Sequence, residues 1–532
     1  MRHIGVSYKQ AKLDDRWDAI VIGSGIGGLT CAALLAKRAG KRVLVLERHY
    51  TAGGFTHVFT RPGYEWDVGV HYIGQVGEGG AMRTAFDEIS DGKIEWARMP
   101  EVYDRAVLPS GSYDFVSGHA QFIERMTSYF PKEADAIARY VQLLRQVGKD
   151  ARWFYLEKAA KGWARTLLTP VLKRGMLRTA GQSTYDVLKG LTNDEELIGV
   201  LTAQYGDYGL PPKRSSFAAH ALLVAHYLGG AWYPVGGAST IARNVEPVIT
   251  SRGGMLCTNA EVDTVLVQHG KATGVKLVDG RELYAPLVIS DAGIAITYGR
   301  LLRDGRDERP AASTAPSSAY VCLYVGLDQS DAQLGFEGKG TNQWLLPGPD
   351  HDAQVAAFEK NPDAPFPLVF VSFPSSKDPS WAARHPNRAT VELMAPAQFD
   401  WFAKWQQTKW MKRGPEYDGL KDRFKERLLE VLYARWPQTK GHVKHAELST
   451  PLSTQHFAAH PRGELYGLAQ SPDRFAARIG ARTKVPGLYL TGADVAMAGV
   501  SGALVGGVVT TAAILGLGLM NELLSRKKVK AR

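Results

Sequence analysis

Residues 18–47 read DAIVIGSGIGGLTCAALLAKRAGKRVLVLE. Residues 18–22 are an apolar run of strand character, and Gly23, Gly25 and Gly28 follow in GxGxxG spacing. Leu29, Ala32, Ala33, Leu35 and Ala36 then recur at helical intervals, Gly40 stops the pattern, and a second apolar run ends on Glu47. Glu47 stands 19 residues after Gly28, close to the ~20 expected of an acid that accepts hydrogen bonds from a ribose. Gly23 permits a tight turn, Gly25 lets the backbone approach a pyrophosphate, and Gly28 lets helix and strand pack closely. Ser24 and Gly27 complete the loop and are counted with it. The helix beginning here offers free N–H groups and a positive dipole end to phosphates. Strand, glycines, helix, strand and acid in that order predict a dinucleotide site.

The flanking residues narrow the choice of dinucleotide. Glu47-Arg48 is followed by Gly53-Gly54, an ERxxxxGG pattern, and residues 485–494 read VPGLYLTGAD. These pieces resemble the FAD-binding glutathione-reductase-like superfamily, in its amine-oxidase and phytoene-desaturase branch. The resemblance implies an α/β fold: a Rossmann-like FAD-binding domain carrying an inserted α+β substrate cap, with FAD held non-covalently. It places Arg48, Gly53 and Gly54 around the cofactor phosphates. Gly492 and Asp494 match the family's last G-D motif, with Ala493 inserted between them, and Asp494 is the candidate for the ribityl chain or phosphate. Gly499, Gly502 and Gly506, with Val500, would let a helix N-terminus approach the flavin ring.

The match is closer at residues 53–57 (GGFTH) and 64–74 (YEWDVGVHYIG), which resemble the D-x-G-x-H-Y-x-G block of retinol saturases and carotenoid isomerases. Residues 233–237 (YPVGG) resemble the family's Y-P-x-G-G motif, and Gly253-Gly254, Val262 and Gly274-Val275 its mid-chain FAD-contacting hairpin. Phe55 stands where the family has cysteine. The resemblance implies hydride exchange between flavin and a carbon–carbon double bond of a hydrophobic polyene or isoprenoid, in the saturase direction. His71 or Tyr72 would supply or orient the proton. Carotenoid desaturase or isomerase is the near alternative. A flavin amine oxidase and a non-catalytic prenyl-protein binding module of the same fold are the more distant ones. Tyr205, His226, Tyr227 and Tyr233 are the substrate-side candidates. Asp207 reads with them as pocket lining or core rather than as an acid, His57 and Asp67 read equally well as structural, and His456 reads as surface. No second GxGxxG follows, which leaves the electron donor or acceptor open.

The chain has 532 residues, 64 Lys+Arg against 53 Asp+Glu and 45% hydrophobic residues, which is a globular composition. Cys31, Cys257 and Cys322 are far apart with no CxxC, so neither a disulfide framework nor a metal site is expected, in keeping with a reducing, cytoplasmic setting. The first 17 residues hold no apolar run, so no secretory leader is expected. Residues 495–520 are uncharged but rich in Gly, Ala, Ser and Thr, which favours a buried cofactor-side helix over a membrane span. No nucleic-acid-binding motif accompanies the surplus of positive charge. In residues 152–178, Trp153, Trp163, Leu167 and Val171 interleave with Arg152, Lys161, Arg165 and Arg174, a pattern suited to a peripheral membrane surface. The plain alternative is an amphipathic helix pair broken near Pro170. The expected organisation is a discontinuous FAD domain at 1–95, 232–295 and 456–524, a cap at 96–231 and 296–455, and a basic tail at 525–532. The first insert reads as mainly helical. The second reads as strands at 320–327 and 368–373, a helix over 404–436, and a loop at 303–318.

Overall fold

The computed structural model describes residues 3–303, 315–336, 340–477 and 479–524, except the side chains of Thr169 and Lys173; the basic tail and most of the 303–318 loop lie outside the described residues. Six parallel strands form one sheet in the order Val6–Ser7, Met255–Thr258, Val43–Leu46, Ala19–Ile22, Val288–Ser290 and Leu488–Leu490. The central strands are buried on both faces, as a parallel sheet requires. Ala19, Val21, Val43 and Val45 face a helical layer, while Ile20, Ile22, Leu44 and Leu46 face the antiparallel strands Val262–Gln268, Lys271–Leu277 and Glu282–Tyr284.

The helical layer includes Ile26–Ala39 and Gly499–Leu515. The uncharged run near the C-terminus is thus a helix buried against the first Rossmann helix. The two backbones approach closely, and a Cβ on Gly507 would come within 2.5 Å of Thr30 Cβ. Among the described residues no helix is long and apolar enough to cross a membrane.

A second sheet has seven strands, in the order Val443–Ser449, Ala319–Leu327, Ala389–Ala397, Val369–Ser372, Asn342–Leu345, Val102–Leu108 and Gly111–Val116. Its period-two alternation divides two surfaces. Val321, Leu323 and Val325 pack on Leu420, Phe424, Leu428 and Leu432 of the helix Pro415–Arg435. Tyr320, Cys322, Tyr324 and Met394 face the other way, into a cavity. The helices Ala134–Ala159 and Phe217–Tyr227 also contribute to the cavity wall.

The first insert is mainly helical, as expected, but Val102–Leu108 and Gly111–Val116 form a hairpin that completes the second sheet. A charged residue, Asp104, points into the core there and disguises the pattern of a buried strand. The helix expected from 404 begins instead at Pro415, behind Gly414 at φ 86°; proline is at home at a first helical position. The helix Gly162–Arg174 runs through Pro170 and ends at Gly175.

Candidate active site

The Rossmann loop is shaped by close approaches that only glycine allows. Gly23 has φ 95°, and a Cβ on Gly25 would come within 2.5 Å of Asp291 Oδ2, one on Gly27 within 2.5 Å of Gly492 Cα, and one on Gly28 within 2.5 Å of Gly23 O. Gly25 is the N-cap of Ile26–Ala39 and has no side chain with which to cap it. Glu47 ties the loop together: its Oε2 accepts from Ser24 N at 2.9 Å and Ser24 Oγ at 2.6 Å, and its Oε1 accepts from His49 N at 2.7 Å. Gly53 N donates to Ser24 Oγ at 3.1 Å, which fixes the second glycine pair on the first. Arg48 Nη1 donates to His456 O at 2.9 Å. Asp494 joins two distant segments, accepting from Ile294 N at 2.8 Å and from Leu468 N at 3.0 Å.

These elements open on one cavity of about 2490 Å³, well beyond the ~300–1,000 Å³ of a single small-molecule site. Gly23, Ser24, Gly25, Gly27, Glu47, Arg48, Gly54, Val262, Asp494 and Val500 line one end of it. Gly28, Gly53 and Gly492 support that wall from behind. The helix Gly499–Leu515 also begins there, and its N-cap Ala498 offers no side-chain cap. Two helix N-termini, an acid beside the Rossmann loop and a Cβ-free cradle fit FAD. Asp291, passed over in the sequence, faces the same loop, accepts from the backbone N–H groups of Gly25 and Gly28, and is pushed up to about 8 by burial. A protonated Asp291 adds no negative charge beside the phosphate site.

The other end of the cavity is aromatic. Tyr72 and Tyr227 stack at 4.2 Å and 11°, and Tyr208, Tyr320, Tyr324 and Tyr466 share the wall. His226 lines it too, and its Nε2 accepts from Gly74 N at 2.7 Å and lies 3.2 Å from Ser501 Oγ. Burial pushes His226 down to about 4 and His71 down to about 3, so both are neutral at neutral pH. His71 Nδ1 lies 3.0 Å from Glu392 Oε2, and burial pushes Glu392 up to about 8.

Two substrate-side expectations are corrected. Tyr205 is buried away from the cavity, against His351, with its hydroxyl donating to Pro367 O at 3.3 Å. Tyr233 is buried too, and its hydroxyl donates to Asp67, whose other oxygen accepts from Ala238 N at 2.8 Å. Both tyrosines brace the walls. His456, expected at the surface, is exposed and stacks on Trp410 at 5.3 Å, at the rim of the cavity.

Behind Tyr72 lies a polar cluster that the sequence did not disclose. Tyr72 Oη is 2.8 Å from Asp104 Oδ2 and 2.9 Å from Asp207 Oδ2. Asp104 is fully buried and also accepts from Gln204 Nε2, Asn342 Nδ2 and Trp344 Nε1. Lys377 donates to His71 O at 2.9 Å and to Ser372 Oγ at 2.7 Å, and desolvation lowers it to about 8.

Residues 21–89 match a family model described as an NAD(P)-binding Rossmann-like domain. All-trans-retinol 13,14-reductase of Rattus norvegicus is 37% identical over an alignment covering 97% of this chain and 88% of that protein. The chain belongs to the all-trans-retinol 13,14-reductase family. Members of this family are thus its near relatives; prolycopene isomerase 1, chloroplastic, of an Oncidium hybrid cultivar stands further off, at 26% identity over 90% of this chain and 80% of that protein. Cyclohexylamine oxidase from Brevibacterium oxydans shares the fold, with a TM-score of 0.59, 17% identity and coverage of 95% of this chain and 99% of that one. The reductase-family chain is an FAD-dependent oxidoreductase.

Proposed function

We propose that this protein saturates a carbon–carbon double bond in a retinoid or similar polyene alcohol. The observation that carries the reading is the continuity of the cavity, which passes from the FAD cradle to a wall of tyrosines. FAD, when bound and reduced, supplies a hydride for transfer to carbon. The stacked Tyr72–Tyr227 pair, with Tyr320 and Tyr466, offers flat apolar faces to a conjugated chain and keeps water from it. His226, on the helix Phe217–Tyr227, is held between Gly74 and Ser501 and ties that helix to the start of the helix Gly499–Leu515. The uncapped end of that helix favours negative charge at the cofactor.

The test is anaerobic incubation of the dithionite-reduced holoprotein with all-trans-retinol, read by mass. A gain of two hydrogens is the expected result. Altered chromatographic retention at unchanged mass makes the protein an isomerase, and no change in retinoids or carotenoids overturns the substrate class.

A membrane-facing role for the helix Gly162–Arg174 completes the proposal. Trp163 is 71% exposed, Leu167 69% and Val171 44%. The neighbouring helix carries Lys149, Arg152 and Trp153 on the wall of the same cavity. Apolar side chains beside cations suit an anionic lipid surface from which a polyene enters.

A further inference from the structure

The distances around Tyr72 determine where protons reside. Tyr72 has one hydroxyl proton and two carboxyl groups within hydrogen-bond reach, Asp104 at 2.8 Å and Asp207 at 2.9 Å. Asp104 is the ionised one. Trp344 Nε1 can only donate to it, at 2.9 Å, and Gln204 Nε2 approaches at 2.6 Å. Asn342 Nδ2 donates to it at 3.0 Å, an orientation held because Asn342 Oδ1 accepts from Lys377. With Tyr72 that makes four donors on one buried carboxylate, which offset part of the upward push of burial on Asp104 and favour its charged form over that of Asp207.

Asp207 has no such support. Tyr72 is its one hydrogen-bond partner among the described residues. If Asp207 were also ionised, two carboxylates would contend for one proton in a dry site. The contact is a hydrogen bond on both sides only when Asp207 is protonated and donates to Tyr72 Oη while Tyr72 donates to Asp104. Burial and the charge of Asp104 both push Asp207 up, to about 8. Asp207 lines the cavity, whereas Asp104 does not.

Among the described residues, Glu392 is also pushed up by burial but does not line the cavity. His226 Nε2 is occupied as an acceptor, His71 is neutral, and the Tyr72 phenol is pushed far above its usual range by burial and the two aspartates.

We propose, on the saturase reading above, that Asp207 is the catalytic acid of this protein, with Tyr72 as its positioning residue. One alkene carbon takes a hydride from the reduced flavin and its neighbour takes the proton of Asp207. The carbon–carbon π bond, the Asp207 O–H bond and the hydride-donating N–H bond of the reduced flavin break, and two C–H bonds form. The substrate gains two electrons, the flavin loses two, and Asp207 is left as a carboxylate. A half-turn of the carboxyl group presents its O–H to the cavity and leaves the other oxygen to accept from Tyr72. As charge develops on Asp207, Tyr72 turns its proton from Asp104, which keeps three other donors, toward Asp207. Water entering after product release returns the proton.

The test compares wild type with Asp207→Asn and Asp207→Glu, each first shown to retain flavin absorbance and to bind retinol by tryptophan quenching. Across a pH titration, the wild-type minus Asp207→Asn infrared difference should isolate one protonated-carboxyl carbonyl band from those of Asp67, Asp291 and Glu392, and that band should be lost through about pH 8. Single-turnover reduction should fall on the order of 10²-fold or more in Asp207→Asn, with partial recovery in Asp207→Glu. The wild-type rate should decline as pH rises through the same range. A wild type that reduces no polyene defeats the substrate reading, and the infrared band still judges Asp207. Absence of the band, or an Asp207→Asn rate within about threefold of wild type, overturns the assignment.

Discussion

At Gly25 the fold leaves no space for one more carbon, because a Cβ there would come within 2.5 Å of Asp291 Oδ2. On the reading that this backbone also meets the cofactor's pyrophosphate, a side chain would obstruct both. Gly25→Val should therefore give a protein that purifies without flavin absorbance even after incubation with FAD; retained yellow colour would refute the placement of the pyrophosphate. Asp291 and Asp207 illustrate a second lesson at this scale. Each is a carboxyl group whose meaning depends on neighbours distant in the chain: Gly25 and Gly28 for one, Tyr72 and Asp104 for the other. In the sequence, Asp207 is one polar residue in an aromatic stretch.

At the level of elements, the helix Gly162–Arg174 displays three large apolar side chains to solvent, which neither packing nor capping explains. Fully burying a Val, Leu or larger apolar side chain contributes roughly 1.5–3 kcal/mol, so transfer of this face into a lipid interface is favourable. The triple variant Trp163→Ser, Leu167→Ser, Val171→Ser removes side chains that support little of the core. It should keep its flavin and its thermal stability yet bind anionic vesicles at least ~10-fold more weakly, since ~1.4 kcal/mol is already a factor of ten. Unchanged flotation with vesicles would remove the membrane proposal. The elements also show which parts of the fold were legible. The Rossmann unit was readable because strand, glycine loop, helix and acid lie within residues 18–47, each with a local signature. Of the second sheet, the strands expected at 320–327 and 368–373 are present as Ala319–Leu327 and Val369–Ser372. The sheet as a whole was not readable, because its strands come from residues 102–116, 319–345, 369–397 and 443–449, and pairing between such distant segments leaves no trace of strand order. The buried Asp104 made its own strand look solvent-exposed, and the pairing of Asp104 with Asn342 and Trp344 exists only once that sheet has formed.

Across the whole molecule, the unusual quantity is buried acid. Asp67 is pushed up to about 7, and Asp207, Asp291 and Glu392 each to about 8, in every case mainly by desolvation. In the unfolded chain such groups ionise near pH ~4, so between that pH and about 8 the folded state holds protons that the unfolded state has released. Stability then falls as pH rises, by about 1.4 kcal/mol per pH unit for each retained proton. The buried histidines oppose this only lower down: His71, pushed to about 3, and His226, pushed to about 4, differ from the unfolded chain only below about pH 6.5. Lys377, lowered to about 8, turns the slope the other way above that point, where the unfolded lysine still holds its proton. Thermal unfolding of the holoprotein should therefore show a melting temperature that drops between pH 7 and 8 and then levels off. Asp207→Asn, which has no proton to lose, should flatten the decline by removing one proton's share. A melting temperature that climbs from pH 7 to 8, or an Asp207→Asn slope equal to wild type, would mean that these carboxyl groups are ionised in the folded protein and that their charge is balanced by something other than a bound proton.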